Sequence, residues 1–478
     1  MKETLIHYPH FIGEKQYEGT EKIIVQDKYL NSALATISNG TETEVNLAVQ
    51  AAREAFNTTK LTPAKRAELL YTAAELFKER KEELAETITM EAGKVITDAR
   101  AEVDRGIQTF IAAAEEGKRI TGHTVPVDGQ SGNENRIAFT IRKPVGVIAA
   151  ITPFNFPFNL TAHKVAPALA SGNTLVIKPS EKTPVSAMKM AEILLEAGFP
   201  PGYINVVNGY GHETGSHLLK HSGVNMYTFT GSPDIGKLIK NNTGIRKVTL
   251  ELGSNAPNIV HHDAENIKSI AESCVEKGMM NNGQACISVQ RVYVHDSVAD
   301  IFLEEAKAAA EAMIVGNPLE ADTQVGPMID KRSTERIESW VNEAVMEGAE
   351  IVAGGRRKGS IYFPTILTAV KSSMKVVCEE VFAPVIVVES YNNFEEAIKE
   401  ANQSRFGLQA GVFTSNIHLA MDAAAQLEFG GVIINDVSTF RADVMPYGGI
   451  KDSGIGKEGP KYAIEEMTDE KLIVLKTH

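Results

Sequence analysis

Only three cysteines occur in this chain of 478 residues, and one of them, Cys286, sits in the polar stretch MNNGQACISVQ (residues 280–290). A cysteine kept for packing belongs in an apolar run. Cys274 in AESCVEK and Cys378 in MKVVCEEVF have such neighbours and read as buried or half-buried thiols. Cys286 instead reads as presented, on a bend that Gly283 permits. A thiolate is a nucleophile, and forming it takes local positive potential, a helix N-terminus or a base. No histidine lies close to Cys286 in sequence, so such a base would have to come from a distant segment.

Other residues are placed for chemistry too. Glu251, in VTLELGSNAPNIV, ends an apolar strand just before a glycine, where α/β folds hold their ligands. A partly buried acid there has its pKa raised and can serve as a general base; a solvated strand end is the plain alternative. Asn155 lies in ITPFNFPFNL, a rigid apolar turn presenting one amide, either an oxyanion donor or an ordinary turn asparagine. TLVIKPSEKTP sets Lys178 and Glu181 just past a strand, within reach of ribose hydroxyls. TFTGSPDIGK offers Gly231, Ser232 and Gly236 at a strand-to-helix junction suited to pyrophosphate, though it is not GxGxxG. CEEVFAPV places Glu380 and Phe382 on a bend, and MPYGGIKDSGIGKEGP is a glycine-rich loop around Lys451.

These residues need elements to hold them. Residues 41–119 carry apolar positions at three- and four-residue spacing and read as helices. Thr41 with Glu44 fits a capping box, and Thr62-Pro63 fits an N-cap followed by a first-turn proline. From residue 145, apolar strands alternate with helices: VGVIAAI, TLVIKPS, INVVNG, MYTFTGS and KVTLELG. Near-continuous apolar strands in this rhythm predict a parallel sheet buried on both faces. A second set, QRVYVH, VVES, AGVFTS and GVIIND, predicts a second α/β domain. Residues 129–143 suit a protruding hairpin arm, and EKLIVLKTH suits a terminal strand; neither has an obvious home in either sheet, which points to oligomerisation.

The balance of 48 Lys+Arg against 61 Asp+Glu, net −13, argues against a nucleic-acid footprint. Three scattered cysteines make neither a disulfide framework nor a zinc site. The polar start and the lack of a long apolar run predict a soluble, cytoplasmic protein without a membrane partner.

Taken in order, PFNFP, GNTLVIKPSEKTP, FTGSPDIGK, LELGSNAP, NNGQACIS, EEVFAPV and MPYGGIKDSGIGKEG resemble the aldehyde dehydrogenase superfamily over nearly the whole chain, closest in motifs to its lactaldehyde branch. The resemblance implies a Rossmann-like NAD(P) domain (1–122 and 144–252), an α/β catalytic domain (253–435) and a small β oligomerisation arm (123–143 and 460–478). It implies Cys286 as the nucleophile forming a thiohemiacetal and then a thioester, Asn155 as oxyanion donor and Glu251 as the base for water. Lys164 matches the lysine near the proton path. Thr152, Pro153, Phe154, Lys178, Ser180 and Glu181 match cofactor positions, as do Gly211, Gly215, Thr230, Gly231, Ser232, Gly236 and Leu252. Glu380 and Phe382 match contacts to the nicotinamide ribose. Phe158, Ile287 and Phe440 are expected to face the substrate.

Some positions depart from the family pattern. Phe154 and His163 stand where tryptophan is common, and Ala285 stands where the glyceraldehyde-3-phosphate branch has an arginine. Arg105 and Arg441 are candidate anchors for a carboxylate, sulfonate or phosphate, with structural arginines as the alternative. The expected substrate is a short aldehyde, hydroxylated or anionic. NAD is preferred over NADP, because Glu181 accepts from a 2′-hydroxyl and repels a 2′-phosphate. A homodimer or homotetramer is expected. A CoA-acylating enzyme, a cysteine hydrolase and a non-catalytic scaffold are the competing readings, and Glu251 together with Cys286 and Asn155 weighs against them.

Overall fold

The helices of the first quarter form where apolar spacing and caps place them. In the computed structural model, which describes residues 5–477, they span Glu42–Thr58, Pro63–Glu79, Lys81–Ala92 and Ile96–Gly117. The Glu44 carboxylate accepts the Thr41 N–H at 2.8 Å while Thr41 Oγ1 accepts from Thr43 N–H at 3.2 Å, closing the capping box. Thr62 Oγ1 accepts from Lys65 N–H ahead of Pro63. The last three pack around Phe77, Phe110 and Phe158, while Glu42–Thr58 sets Val45, Ala48, Val49 and Ala52 in a second core with Val147, Val176 and Tyr227.

That sheet has eight strands. Five parallel ones lie in the order Lys247–Glu251, Met226–Thr230, Val147–Ile151, Thr174–Lys178 and Ile204–Val206. The chain winds outward from Val147–Ile151 in one direction and then returns to its other side with Met226–Thr230. Strand order therefore reverses beside Val147–Ile151, and the crevice at the carboxyl ends there is where such sheets bind ligands. His10–Ile12 and Lys15–Tyr17 extend one edge, and Gly454–Ile455 pairs antiparallel with Leu250 and Glu251 on the other.

A second sheet runs Glu350–Ala353, Thr365–Thr368, Val385–Tyr391, Arg291–His295, Pro257–Val260, Gln409–Phe413 and Gly431–Ile434, with only the first strand antiparallel. The two sheets give the Rossmann-like and catalytic α/β units. Pro257–Val260, not foreseen as a strand, stands near the centre of the second. The N-terminal stretch forms a further three-stranded sheet of Ile6–Tyr8, Ala33–Ser38 and Lys22–Gln26.

Two expectations are corrected. The arm is not a self-contained hairpin: Arg136–Pro144 pairs over its full length with the terminal strand Thr468–Lys476, from Thr468↔Pro144 to Lys476↔Arg136, and Thr124–Val125 adds only a short third strand. Cys378 is exposed at the end of the single-turn helix Lys375–Cys378, whereas Cys274 is buried as expected. Among the described residues, no helix is long and apolar enough to cross a membrane.

Candidate active site

The polar bend before Cys286 is held by its own amides. Asn281, Asn282 and Gly283 have φ of 52°, 58° and 70°, a left-handed run that asparagine and glycine accept. At Gly283 a Cβ would lie 2.0 Å from the Ala383 carbonyl oxygen, so glycine is required. Asn282 donates to the carbonyls of Gly93 and Pro327 and accepts from Gly326 N–H, while Gln284 Oε1 accepts from Ile329 N–H. Asn155 Nδ2 donates to the Gln284 carbonyl at 2.8 Å, and Asn281 Nδ2 donates to the Asn155 carbonyl at 3.0 Å. The Asn155 amide is thus fixed two residues from Cys286, with its second hydrogen able to serve an oxyanion.

Cys286 Sγ lies 3.0 Å from the Tyr447 hydroxyl, in an apolar pocket with Ile287, Leu408 and Met445. Burial pushes its thiol up to about 11, and the hydrogen bond from Tyr447 and the charge of Arg441 oppose that rise. Glu251 ends its strand 3% exposed, with neither carboxylate oxygen hydrogen-bonded. Burial, and then the Glu458 carboxylate, raise its pKa well above the ordinary value, the direction a general base for water needs.

A buried charge network lies beside these two groups. Lys164 Nζ donates to Glu458 Oε1 and to Thr230 Oγ1, both at 2.7 Å. Arg441 donates to Glu458 Oε2 at 3.1 Å and stacks 3.7 Å over the Tyr447 ring, while its buried Nε makes no hydrogen bond among the described residues and lies 4.0 Å from Asp443 Oδ1. Burial would raise Glu458, but Lys164 and Arg441 hold it down at about 2. Asp443 accepts two bonds from Arg105, at 2.8 and 3.0 Å, and others from His163 and Asn159. Burial lowers the pKa of His163 and leaves the imidazole neutral.

Donors for a dinucleotide line the switch-point crevice. Ser232 caps Pro233–Asn242 with no side-chain hydrogen bond, so the first-turn N–H groups remain available to phosphate. A Cβ at Gly236 would meet Leu252 Cδ2 at 2.5 Å, so glycine brings helix and sheet together. The Lys178 stem runs beneath Gly215, its ammonium 3.9 Å from the Glu181 carboxylate, and burial lowers its pKa to about 8. Glu380 is half-buried and, among the described residues, accepts only from Ser254 N–H, at 3.0 Å; desolvation raises it to about 7. A half-buried carboxylate with no ion pair suits ribose hydroxyls. Phe382, at φ 47°, sets its ring edge-on to Phe154 at 5.8 Å, a flat apolar wall.

The model of the aldehyde dehydrogenase family matches residues 15–473. The chain belongs to the aldehyde dehydrogenase family. It is 50% identical over 468 residues to the 3-sulfolactaldehyde dehydrogenase of Priestia megaterium, covering 98% of each chain. It is 40% identical to the lactaldehyde dehydrogenase of Methanococcus aeolicus, over 95% of this chain and 97% of the other. Aldehyde dehydrogenase 21 from Physcomitrella patens, solved with its reaction product succinate, matches with a TM-score of 0.96 at 38% identity over 99% of both chains. The glyceraldehyde-3-phosphate dehydrogenase GapN of Methanocaldococcus jannaschii, solved with NADP, matches at 0.91 and 40% identity over 95% and 99%. This aldehyde dehydrogenase is an NAD(P)-dependent enzyme that oxidises an aldehyde.

In this aldehyde dehydrogenase the fold draws together Cys286, Asn155, Glu251, Lys164, Thr230, Ile287 and Arg441 from distant segments. Thr152 follows its strand, its N–H bonded to the Lys178 carbonyl. Phe440 is exposed. Phe158 is not brought to the pocket: its ring fills the helical core, edge-on to Phe77 and over Gly106. Arg105 has two of its N–H groups committed to Asp443. Tyr447, Glu458 and Asp443 were not singled out by sequence, although all three stand in or beside the glycine-rich loop.

Proposed function

We propose that this aldehyde dehydrogenase oxidises a short 2-hydroxyaldehyde bearing an anionic group, in the class of 3-sulfolactaldehyde, to the acid. One observation carries the reading: the buried Arg441 guanidinium beside Cys286, whose Nε–H makes no hydrogen bond and has only Asp443 near it, at 4.0 Å, among the described residues. Lys164 and Arg441 both bond to Glu458, while Arg105 and His163 bond to Asp443. A buried guanidinium with an N–H left unbonded calls for an anion, and a guanidinium pairs well with sulfonate or carboxylate. Arg105 acts through Asp443 as a positioning residue for Arg441, rather than as the anchor itself.

In this reading the carboxylate form of Glu251 takes the Cys286 thiol proton, Sγ bonds to the carbonyl carbon, and the C=O electron pair moves to the oxygen, which Asn155 Nδ2 and the Cys286 N–H hold. NAD(P)+, held by the crevice around Lys178, Glu181, Ser232 and Glu380, would supply the hydride acceptor through which Cys286 comes to carry a thioester. Once its first proton has been passed on, Glu251 takes a proton from water whose oxygen attacks the thioester; the C–S bond breaks with its electron pair on Cys286 Sγ, and the acid leaves. Lys164, held by Glu458 and Thr230, lies where a proton can be passed away from Glu251. Residues 1–122 and 144–252 would hold the cofactor, 253–435 the catalytic loop, and 123–143 with 460–478 the oligomerisation arm. Glu181 favours NAD.

The test is NAD(P)H formation from a panel of three-carbon aldehydes, plain, hydroxylated, sulfonated and phosphorylated, with CoA absent and Cys286→Ala as control. The expected result is turnover by wild type alone, fastest with a hydroxylated anion and with NAD. Turnover only after CoA is added would overturn the hydrolytic role of Glu251. A preference for the neutral aldehydes would overturn the anion reading.

A further inference from the structure

Three imidazoles meet at the far end of the second sheet from the catalytic loop. Pro257–Val260 and Arg291–His295 run parallel with Val260 opposite Val294, so His261 and His295 stand side by side at the strand ends, and His262 follows. Each offers a nitrogen within 4.8 Å of those of the other two, and the ring centroids are 4.2, 4.7 and 5.3 Å apart.

Hydrogen-bond direction decides which nitrogens are free. The Tyr391 hydroxyl donates to the Val260 carbonyl at 3.3 Å, so it accepts from His261 Nδ1–H at 3.0 Å and leaves the Nε2 lone pair uncommitted. Ser297 Oγ, 2.9 Å from His295 Nδ1, offers the same kind of acceptor. Metal binding through His295 Nε2 would exchange the present Ser297 N–H cap on Nδ1, at 3.2 Å, for an Nδ1–H to Oγ bond. Asp263 is adjacent, but its two oxygens accept from Thr414 Oγ1 at 2.8 and 3.0 Å, so the fourth position falls to water. His262 is exposed and gives an ion its way in.

We propose that His261, His262 and His295 bind one divalent transition-metal ion, zinc by ligand type, through three nitrogens and a water. Hydroxyl partners behind two of the rings are the support that such ligands ordinarily have. Cys286 precedes the strand that His295 ends; five residues at about 3.3 Å each put the ion roughly 16 Å from the chemistry. The ion would therefore clamp two central strands and take no part in catalysis.

The test is calorimetric titration of Zn2+ into the full chain carrying Cys286→Ala and Cys378→Ser, which removes the catalytic and the exposed thiol, with the visible spectrum of Co2+ as a second readout. One ion per chain is expected, with the intense bands of a tetrahedral Co2+ site. His262→Gln and His295→Gln, each added to that background, should weaken binding at least about tenfold. His262 is exposed, so its variant should keep the melting temperature of its parent in EDTA, which separates loss of the site from loss of the fold. No saturable binding, or unchanged affinity in both variants, would overturn the proposal.

Discussion

At Glu251 the pH behaviour of the enzyme is set by burial. An ordinary glutamate ionises near about 4.3, while Glu251 holds its proton to higher pH because of desolvation and Glu458. Thioester hydrolysis needs the carboxylate, so turnover should climb as pH rises through this raised pKa. Glu251→Gln should keep a pre-steady-state burst of NADH and slow the steady state by about 100-fold or more; equal loss of both phases would refute the assignment. Stability takes the opposite sign. Above the unfolded pKa the folded chain binds the extra proton, so wild-type stability falls as pH rises through that window. The glutamine variant should lack this slope in denaturant titrations. Cys286, Glu251 and Asn155 stood out in the sequence as a thiol in a polar bend, an acid ending an apolar strand and an amide in a proline turn, but each had a plain structural alternative, and only the ordered resemblance suggested roles for them. Tyr447 and Asp443 look ordinary in their own segments, and their partners lie 161 and 280 residues away. Only the fold shows what they do.

Helices and strands were largely readable because period and burial agree within one segment. The parallel strands of the first sheet are buried on both faces and read as apolar runs. Pro257–Val260 was missed because four residues opening on proline show no alternation. The arm was misread as a hairpin because its partner strand is the C-terminus, a pairing that no local pattern encodes. Among the short connections, the turn before Cys286 carries the most consequence. Gly283→Ala places a side chain at φ 70° and a Cβ 2.0 Å from the Ala383 oxygen. The left-handed conformation alone costs about 1–2 kcal/mol, and the clash adds to it. A lower melting temperature and slower alkylation of Cys286 by iodoacetamide are expected; a variant as stable and as reactive as wild type would show that the turn does not position the thiol.

Over the whole molecule, the excess of acidic groups lies dispersed in the sequence, while the catalytic cluster holds the buried Arg441 guanidinium, the place where an anionic ligand would pair. The arm sheet presents Ile137 and Leu475, paired across its strands and 54% and 51% exposed, with Leu472 and Val474 also exposed. A second copy of this chain would cover them, and Leu475→Asp should lower the mass measured by light scattering; a wild-type monomer would contradict this. The claim that joins every scale is that Arg441 selects an anion. The most direct measurement is kcat/KM for 3-sulfolactaldehyde relative to lactaldehyde, in wild type and in Arg441→Met. A charged hydrogen bond is worth about 1.5–3 kcal/mol, so the account predicts that the wild-type preference for the sulfonate falls by roughly 10- to 100-fold in the variant. An unchanged ratio would contradict it.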